Sequence, residues 1–252
     1  MTAARLRALG QGHWLALYGL VLGAWALLYA MQLPADLVAA AWLFGPELWE
    51  ALCTVQPGIA GAPALFLMWA AMALGMMAPT AVPALATFDD LRGAGAASGA
   101  GFAALAAGYL AVWLGFAAVA TGAQIGLAGA GLLTPVGSSA SVWLTAGLLA
   151  AAGLWQFSGL KAACLTRCRA PLGFFLQHWE AGPWRMGLRL GLVCLGCCWA
   201  LMALAFVGGT MNLAFMGGAM LLMAVEKLPV GRVLTRPLGW ALLAAAAAVL
   251  VI

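Results

Sequence analysis

Long apolar stretches, separated by short segments that hold nearly all of the charge, decide what this chain can become. Of its 252 residues, 66% are hydrophobic and 7% are charged, against about 25% charged in an ordinary soluble domain. Too few polar side chains are present to cover a water-soluble globule of this size, which excludes that class. Strict polar/apolar alternation of strand length is absent, which argues against an outer-membrane barrel. The remaining solution is all-α: one integral-membrane helical domain, residues 1–252, that crosses a bilayer several times.

A crossing takes roughly 17–25 apolar residues. Six stretches meet that requirement, at about 14–31, 62–79, 101–122, 142–160, 187–207 and 209–226. A shorter seventh, 238–252, is rich in Ala and Leu and follows Pro237, a favourable first-turn residue. Basic residues are retained by cytoplasmic loops, and all eleven fall on one side if the N-terminus is cytoplasmic. Arg5 and Arg7 precede the first span, and Arg92 lies between the second and third. Lys161, Arg167, Arg169, Arg185 and Arg189 lie between or at the ends of the fourth and fifth. Lys227, Arg232 and Arg236 follow the sixth. The opposite loops carry Asp36, Glu47 and Glu50. The net charge of +4 expresses this bias and does not point to nucleic acid.

The first span follows a basic segment, as a signal peptide does, but its apolar stretch exceeds the usual ~7–15 residues and no small-x-small site follows, so it is read as a retained span. In the external loop 32–61, Trp42, Phe44, Trp49 and Leu52 alternate with Glu47 and Glu50, as in an interfacial aromatic belt. Cys53 in the same loop has no evident disulfide partner.

The chemistry sits in sulfur. Cys194, Cys197 and Cys198 fall inside the fifth apolar stretch, in the run Cys-Leu-Gly-Cys-Cys-Trp. At ~3.6 residues per turn, Cys194, Cys198 and Met202 share one face, with Cys197 beside it. Soft sulfur suits a thiophilic ion such as Cu(I), whereas Mg²⁺ and Ca²⁺ prefer oxygen. The second span adds Met68, Met72 and Met76 at four-residue spacing, then Met77. Gly208 and Gly209 alone separate the fifth and sixth spans, which predicts a tight hairpin that levels Met202 with Met216, Cys198 with Met220 and Cys194 with Met223. Met72 or Met76 would then complete a copper shell from a facing helix, with Gly75 allowing close approach. Any single Met is more simply a gap-filler; the three clustered thiols are what carry the metal reading.

A second sulfur pair, Cys164 and Cys168, lies in the predicted cytoplasmic loop 156–189. The spacing puts both thiols on one face if the segment is helical, and basic neighbours would favour thiolate. His13 and His178 are read as interfacial or loop residues, with His178 a possible ligand beside Cys164 and Cys168. Glu226-Lys227 is either a helix end with its counter-ion or a carboxylate at the mouth of a pathway.

At these residues the chain resembles the bacterial family called domain of unknown function 2182, described as predicted metal-binding integral membrane proteins. The matching stretches are Met-Trp-Ala-Ala-Met-Ala-Leu-Gly-Met-Met-Ala-Pro at 68–79, Lys-Ala-Ala-Cys-Leu-Thr-Arg-Cys-Arg-Ala-Pro at 161–171 and Cys-Leu-Gly-Cys-Cys-Trp-Ala-Leu-Met at 194–202. Met211-Asn212 and Glu226-Lys227 join them. The family pattern carries a His one turn before the first Cys, where this chain has Leu190. The resemblance implies a metal role without naming the metal.

Together these readings predict a non-enzymatic protein of the bacterial inner membrane. It would hold Cu(I) on Cys194, Cys197, Cys198 and Met202, with Met72, Met76, Met77 and Met216 as weaker donors and Cys164 and Cys168 as receiving thiols. Its partners would be the lipid bilayer and a copper chaperone or a membrane oxidase or transporter subunit. Two alternatives stand beside this: a non-catalytic subunit whose sulfurs only pack helices, and a thiol oxidoreductase built on Cys197-Cys198.

Overall fold

The computed structural model describes residues 12–31, 61–93 and 99–251, and among these residues the chain is helical with no strand beyond a single bridge between Leu133 and Ser139. Arg5, Arg7, most of the predicted loop 32–61 with Cys53, and residues 94–98 lie outside the described residues. The helices are α1 (Gly12–Ala30), α2 (Ala62–Gly93), α3 (Gly99–Gly129), α4 (Val142–Trp155), α5 (Gly159–Arg169), α6 (Pro171–His178), α7 (Gly182–Ala203), the single turn α8 (Ala205–Gly208), α9 (Leu213–Lys227) and α10 (Thr235–Val251). Four helical runs are long and apolar enough to cross a membrane, or up to five if the bent pair α4 and α5 counts as one.

That count departs from the six or seven spans expected, for local reasons. The predicted span 142–160 breaks after Trp155, and α5 leaves at 61° to α4. Ser158 starts the new helix by accepting the Lys161 amide at 3.0 Å, the ordinary N-cap bond. The predicted hairpin at Gly208-Gly209 is longer than two residues. Gly209 turns the chain at φ +92°, a conformation that suits glycine, and Asn212 then caps α9 by accepting the Phe215 amide at 3.1 Å. The sixth predicted span is therefore α9, which begins at Leu213 and is 15 residues long. The predicted loop 156–189 is mostly helix, α5 and α6, so Cys164 and Cys168 stand on a packed element.

α7 packs most extensively on α3, α10 on α4, and α2 on α3 and α1; α9 lies chiefly against α2. The α3–α7 seam is backbone against backbone. A Cβ on Gly187 would fall 2.2 Å from the Leu105 carbonyl oxygen, and one on Gly108 would fall 2.4 Å from that of Trp184. A Cβ on Gly191 would fall 2.9 Å from the Val112 side chain and 3.0 Å from the Tyr109 carbonyl oxygen. Small residues at such a crossing let apolar helices approach closely.

Indole N–H groups pin the other pairs. Pro79 inside α2 has no N–H to give the Gly75 carbonyl; Trp25 of α1 donates to that carbonyl instead, at 3.0 Å. Trp69 of α2 donates to Gln124 of α3 at 2.7 Å, and Trp155 of α4 to the Gly196 carbonyl of α7 at 3.0 Å. Trp14 of α1 donates to Asp89 of α2 at 2.9 Å. Gly75 thus faces α1, where the sequence suggested an approach by the cysteine helix.

The seam yields a direct test. Gly187→Val should destabilise the protein by roughly 1–3 kcal/mol or more through overpacking. Gly147→Ala, where an added Cβ meets nothing within 4 Å, should be neutral or slightly stabilising. Thermal unfolding of the detergent-purified variants, followed by size exclusion, reads the difference.

Candidate metal centre

The seam determines which residues share a buried face. Gly187, Gly191, Cys194, Cys198 and Met202 follow one another at three- or four-residue spacing along α7, so the glycines that bring α3 close also turn the thiols inward. Cys194, Cys197 and Cys198 are all buried, and their sulfur atoms lie within 4.8 Å of one another. Cys197 Sγ is 3.2 Å from Cys198 Sγ and donates to the Cys194 carbonyl at 3.0 Å. The five cysteines among the described residues are free thiols.

Cys194 Sγ stands at the centre of the polar contacts. Lys227 Nζ, from the end of α9, donates to it at 2.9 Å. The Tyr109 hydroxyl of α3 lies 3.0 Å away and donates to the Met77 carbonyl of α2, also at 3.0 Å. Lys227 Nζ donates in addition to Thr80 Oγ1 at 2.5 Å, and the Thr80 hydroxyl donates to the Met77 carbonyl at 2.9 Å. α2, α3, α7 and α9 therefore converge on one sulfur. The sequence singled out Lys227 as the counter-ion of Glu226 at a helix end and as part of the resemblance pair Glu226-Lys227, but Tyr109 and Thr80 not at all. A buried cation in an apolar chain was the available signal.

The second pair joins the first. α5 packs on α7. The Cys168 thiol, half-buried, lies near Cys197. Cys164 Sγ sits over Gly196, where an added Cβ would fall 2.7 Å from it. Burial pushes the Cys164 thiol up, and the nearby Arg167 offsets that only in part; the expected lowering by basic neighbours does not prevail there. His178 is not part of this group, since its Nδ1 pairs with the Phe174 carbonyl at 2.8 Å within α6. His13 lies 3.2 Å from Asp89 in a cluster with Arg92 and Trp14.

The methionines Met68, Met72, Met76, Met77, Met202, Met216 and Met223 are all buried. α2 and α7 are nevertheless not close backbone neighbours. Two side chains bridge them: Tyr109 joins the Met77 carbonyl to Cys194, and Lys227 joins Thr80 to the same sulfur. Leu190, one turn before Cys194, is buried hydrocarbon.

A buried ion pair braces the centre. Lys161 Nζ donates to Glu226 Oε2 at 2.8 Å, with exposures of 0% and 1%. Arg169 donates through Nε and Nη2 to the Glu226 carbonyl at 2.9 and 2.6 Å, satisfying one of the orphan acceptors at the end of α9. Glu226 thus has its counter-ion in Lys161 of α5, and not in the adjacent Lys227.

Three buried, mutually close thiols, with no imidazole or carboxylate in their group among the described residues, form a soft donor set that fits Cu(I) far better than a hard cation. The fold and the site together define a class: an apolar helical bundle built around a buried cysteine cluster. The model of the PpoB2 family, described as a copper chaperone, matches residues 66–249, and the chain belongs to that family. The copper description agrees with the metal role implied by the sequence resemblance. No curated protein and no solved structure matches the chain.

Removing one member of the ion pair leaves a buried charge alone. Lys161→Met should cost about 3–5 kcal/mol. The double variant Lys161→Met/Glu226→Leu should recover most of that loss, as measured by thermal unfolding.

Proposed function

We propose that this protein is a non-enzymatic copper carrier of the bacterial inner membrane that takes Cu(I) onto Cys194, Cys197 and Cys198 and passes it to a copper-dependent partner. The observation that carries the reading is the convergence of three free thiols within 4.8 Å in an apolar interior, in a chain of a copper chaperone family. Thiolates hold a cuprous ion tightly, while methionine thioethers offer weaker sites that permit release. Met202 lies one turn from Cys198 on the same face, and Met72, Met76, Met77 and Met216 are buried candidates for such sites. Cys168 beside Cys197, with Cys164 nearby, gives the ion a step from α7 to α5. The donor or acceptor would be a soluble copper chaperone or a membrane oxidase or transporter subunit.

Two features support a bilayer around the bundle. Large apolar side chains face outward on the long helices, among them Leu22, Val119, Trp143, Leu192 and Trp240, an outer surface a water-soluble monomer avoids. The described basic residues also gather at one end. The end of α2 meets α6 through Phe88 and Phe175, with ring centroids 5.6 Å apart. Arg169 of α5 reaches the end of α9, and His13 at the start of α1 meets Asp89. That end would be cytoplasmic by the distribution of Lys and Arg. A reporter fused after Gly173 should then behave as cytoplasmic and one near Glu50 as external; reversed signals would invert the receiving side.

Copper binding to the detergent-purified protein tests the central claim. One Cu(I) should be retained against a competing chelator, and the triple variant Cys194→Ser/Cys197→Ser/Cys198→Ser should lose it. Cys198→Ser should weaken binding far more than Cys53→Ser. Met72→Leu or Met76→Leu preserves volume at a packing cost usually below ~1.5 kcal/mol, so a folded variant with lower affinity would place that thioether in the shell.

A further inference from the structure

Lys227 places an amine in an apolar interior, and its contacts leave one partner that can carry a balancing charge. Its side chain is buried. Thr80 is neutral and accepts one hydrogen bond. The nearest carboxylate in sequence, Glu226, is already paired with Lys161 at 2.8 Å, and its backbone carbonyl is taken by Arg169. The other contact of Nζ is Cys194 Sγ at 2.9 Å. The contact able to balance an ammonium is therefore sulfur, as a thiolate, the same sulfur that heads the cysteine cluster.

We infer that Lys227 is the built-in counter-ion of the metal–thiolate centre and sets the charge of the ion the centre accepts. The inference rests on the copper reading above. Its logic is a charge count. Cys197 keeps its proton, which it donates to the Cys194 carbonyl at 3.0 Å, so of the three cysteines two bind as thiolates; one Cu(I) on those two carries a net charge of −1, and the Lys227 ammonium brings the group to zero. A divalent ion on the same two thiolates is neutral already, and Lys227 leaves the group with a net positive charge. An uncompensated charge is strongly disfavoured in a low-dielectric interior. With Lys227 in place the site favours the monovalent ion, and without it the preference turns toward the divalent one. Thr80 fixes the ammonium from the opposite side through its bond to Nζ, while its own hydroxyl is anchored on the Met77 carbonyl. Lys227 acts through Cys194 and is a positioning and specificity residue, not a ligand.

The test compares the full-length wild-type protein with Lys227→Met, Lys227→Gln and Lys227→Arg in detergent. Cu(I) affinity is read by competition with a chromophoric chelator and Cd(II) affinity by thiolate-to-metal absorbance. Both neutral variants should bind Cu(I) at least about tenfold more weakly, and their Cd(II)-to-Cu(I) affinity ratio should rise by a similar factor, because an unbalanced buried charge is moved from one loaded state to the other. Lys227→Arg keeps the charge and should stay close to wild type in both readouts. Gln retains a hydrogen bond to Thr80 without charge, so it carries the comparison if Met prevents folding. Neutral variants that match wild type in affinity and in ratio would overturn the inference, as would an Arg variant that loses as much as Met. A wild-type protein that fails to bind Cu(I) would instead remove the copper reading beneath it.

Discussion

The close approach of α3 to α7 is the constraint on which the rest of the structure depends. Gly108, Gly187 and Gly191 remove the side chains that would hold the two backbones apart. Tyr109 directly follows Gly108, and Cys194 lies three residues after Gly191. Once the seam closes, the tyrosine hydroxyl is brought to 3.0 Å from the sulfur. The same hydroxyl reaches the Met77 carbonyl and so ties α2, which has little backbone contact with α7, to the cysteine face. A substitution that widened the seam would therefore act on the centre without touching any thiol.

Around that seam, buried charge is apportioned so that each group has a specific partner. Glu226 and Lys227 are adjacent, but their side chains go to different neighbours: Glu226 to Lys161 on α5 and Lys227 to Cys194 and Thr80. Consecutive helical residues point about 100° apart, which allows one helix end to serve two sites. Buried pairs of this kind contribute little net stability, but losing one member is costly. The pair fixes where α5 sits against α9, and with it where Cys168 stands relative to Cys197.

Much of this was legible in the residues. The apolar stretches gave the long helices α1, α2, α3 and α7 because a run of that length in this composition has no other stable form. The sulfur trio was visible because its spacing puts Cys194 and Cys198 on one helical face. The break after Trp155 was not foreseen, since Gln156-Phe157-Ser158 interrupts hydropathy only weakly while Ser158 supplies a cap that hydropathy does not register. The α5 segment read as a loop because its basic residues mask a helix that buries Lys161, Cys164 and Leu165. Tyr109 and Thr80 escaped notice because their importance comes from contacts with residues 85 and 147 positions away. No local pattern encodes such distances.

The arrangement of the thiols bears on how a carrier could release what it binds. Cys194 and Cys198 are enclosed, Cys197 lies between them and α5, and Cys168 is half-buried at the edge of the group. Ligand exchange between thiolates proceeds by an incoming sulfur joining the metal before the outgoing one leaves, so it needs successive donors at close range. On the proposed reading, Cys197 and Cys168 form that succession, running from the interior toward a helix that ends in Arg167 and Arg169. An acidic surface on a partner would be drawn to that end. Affinity would come from the enclosed thiols and accessibility from Cys168, two properties that a single cysteine could not supply together.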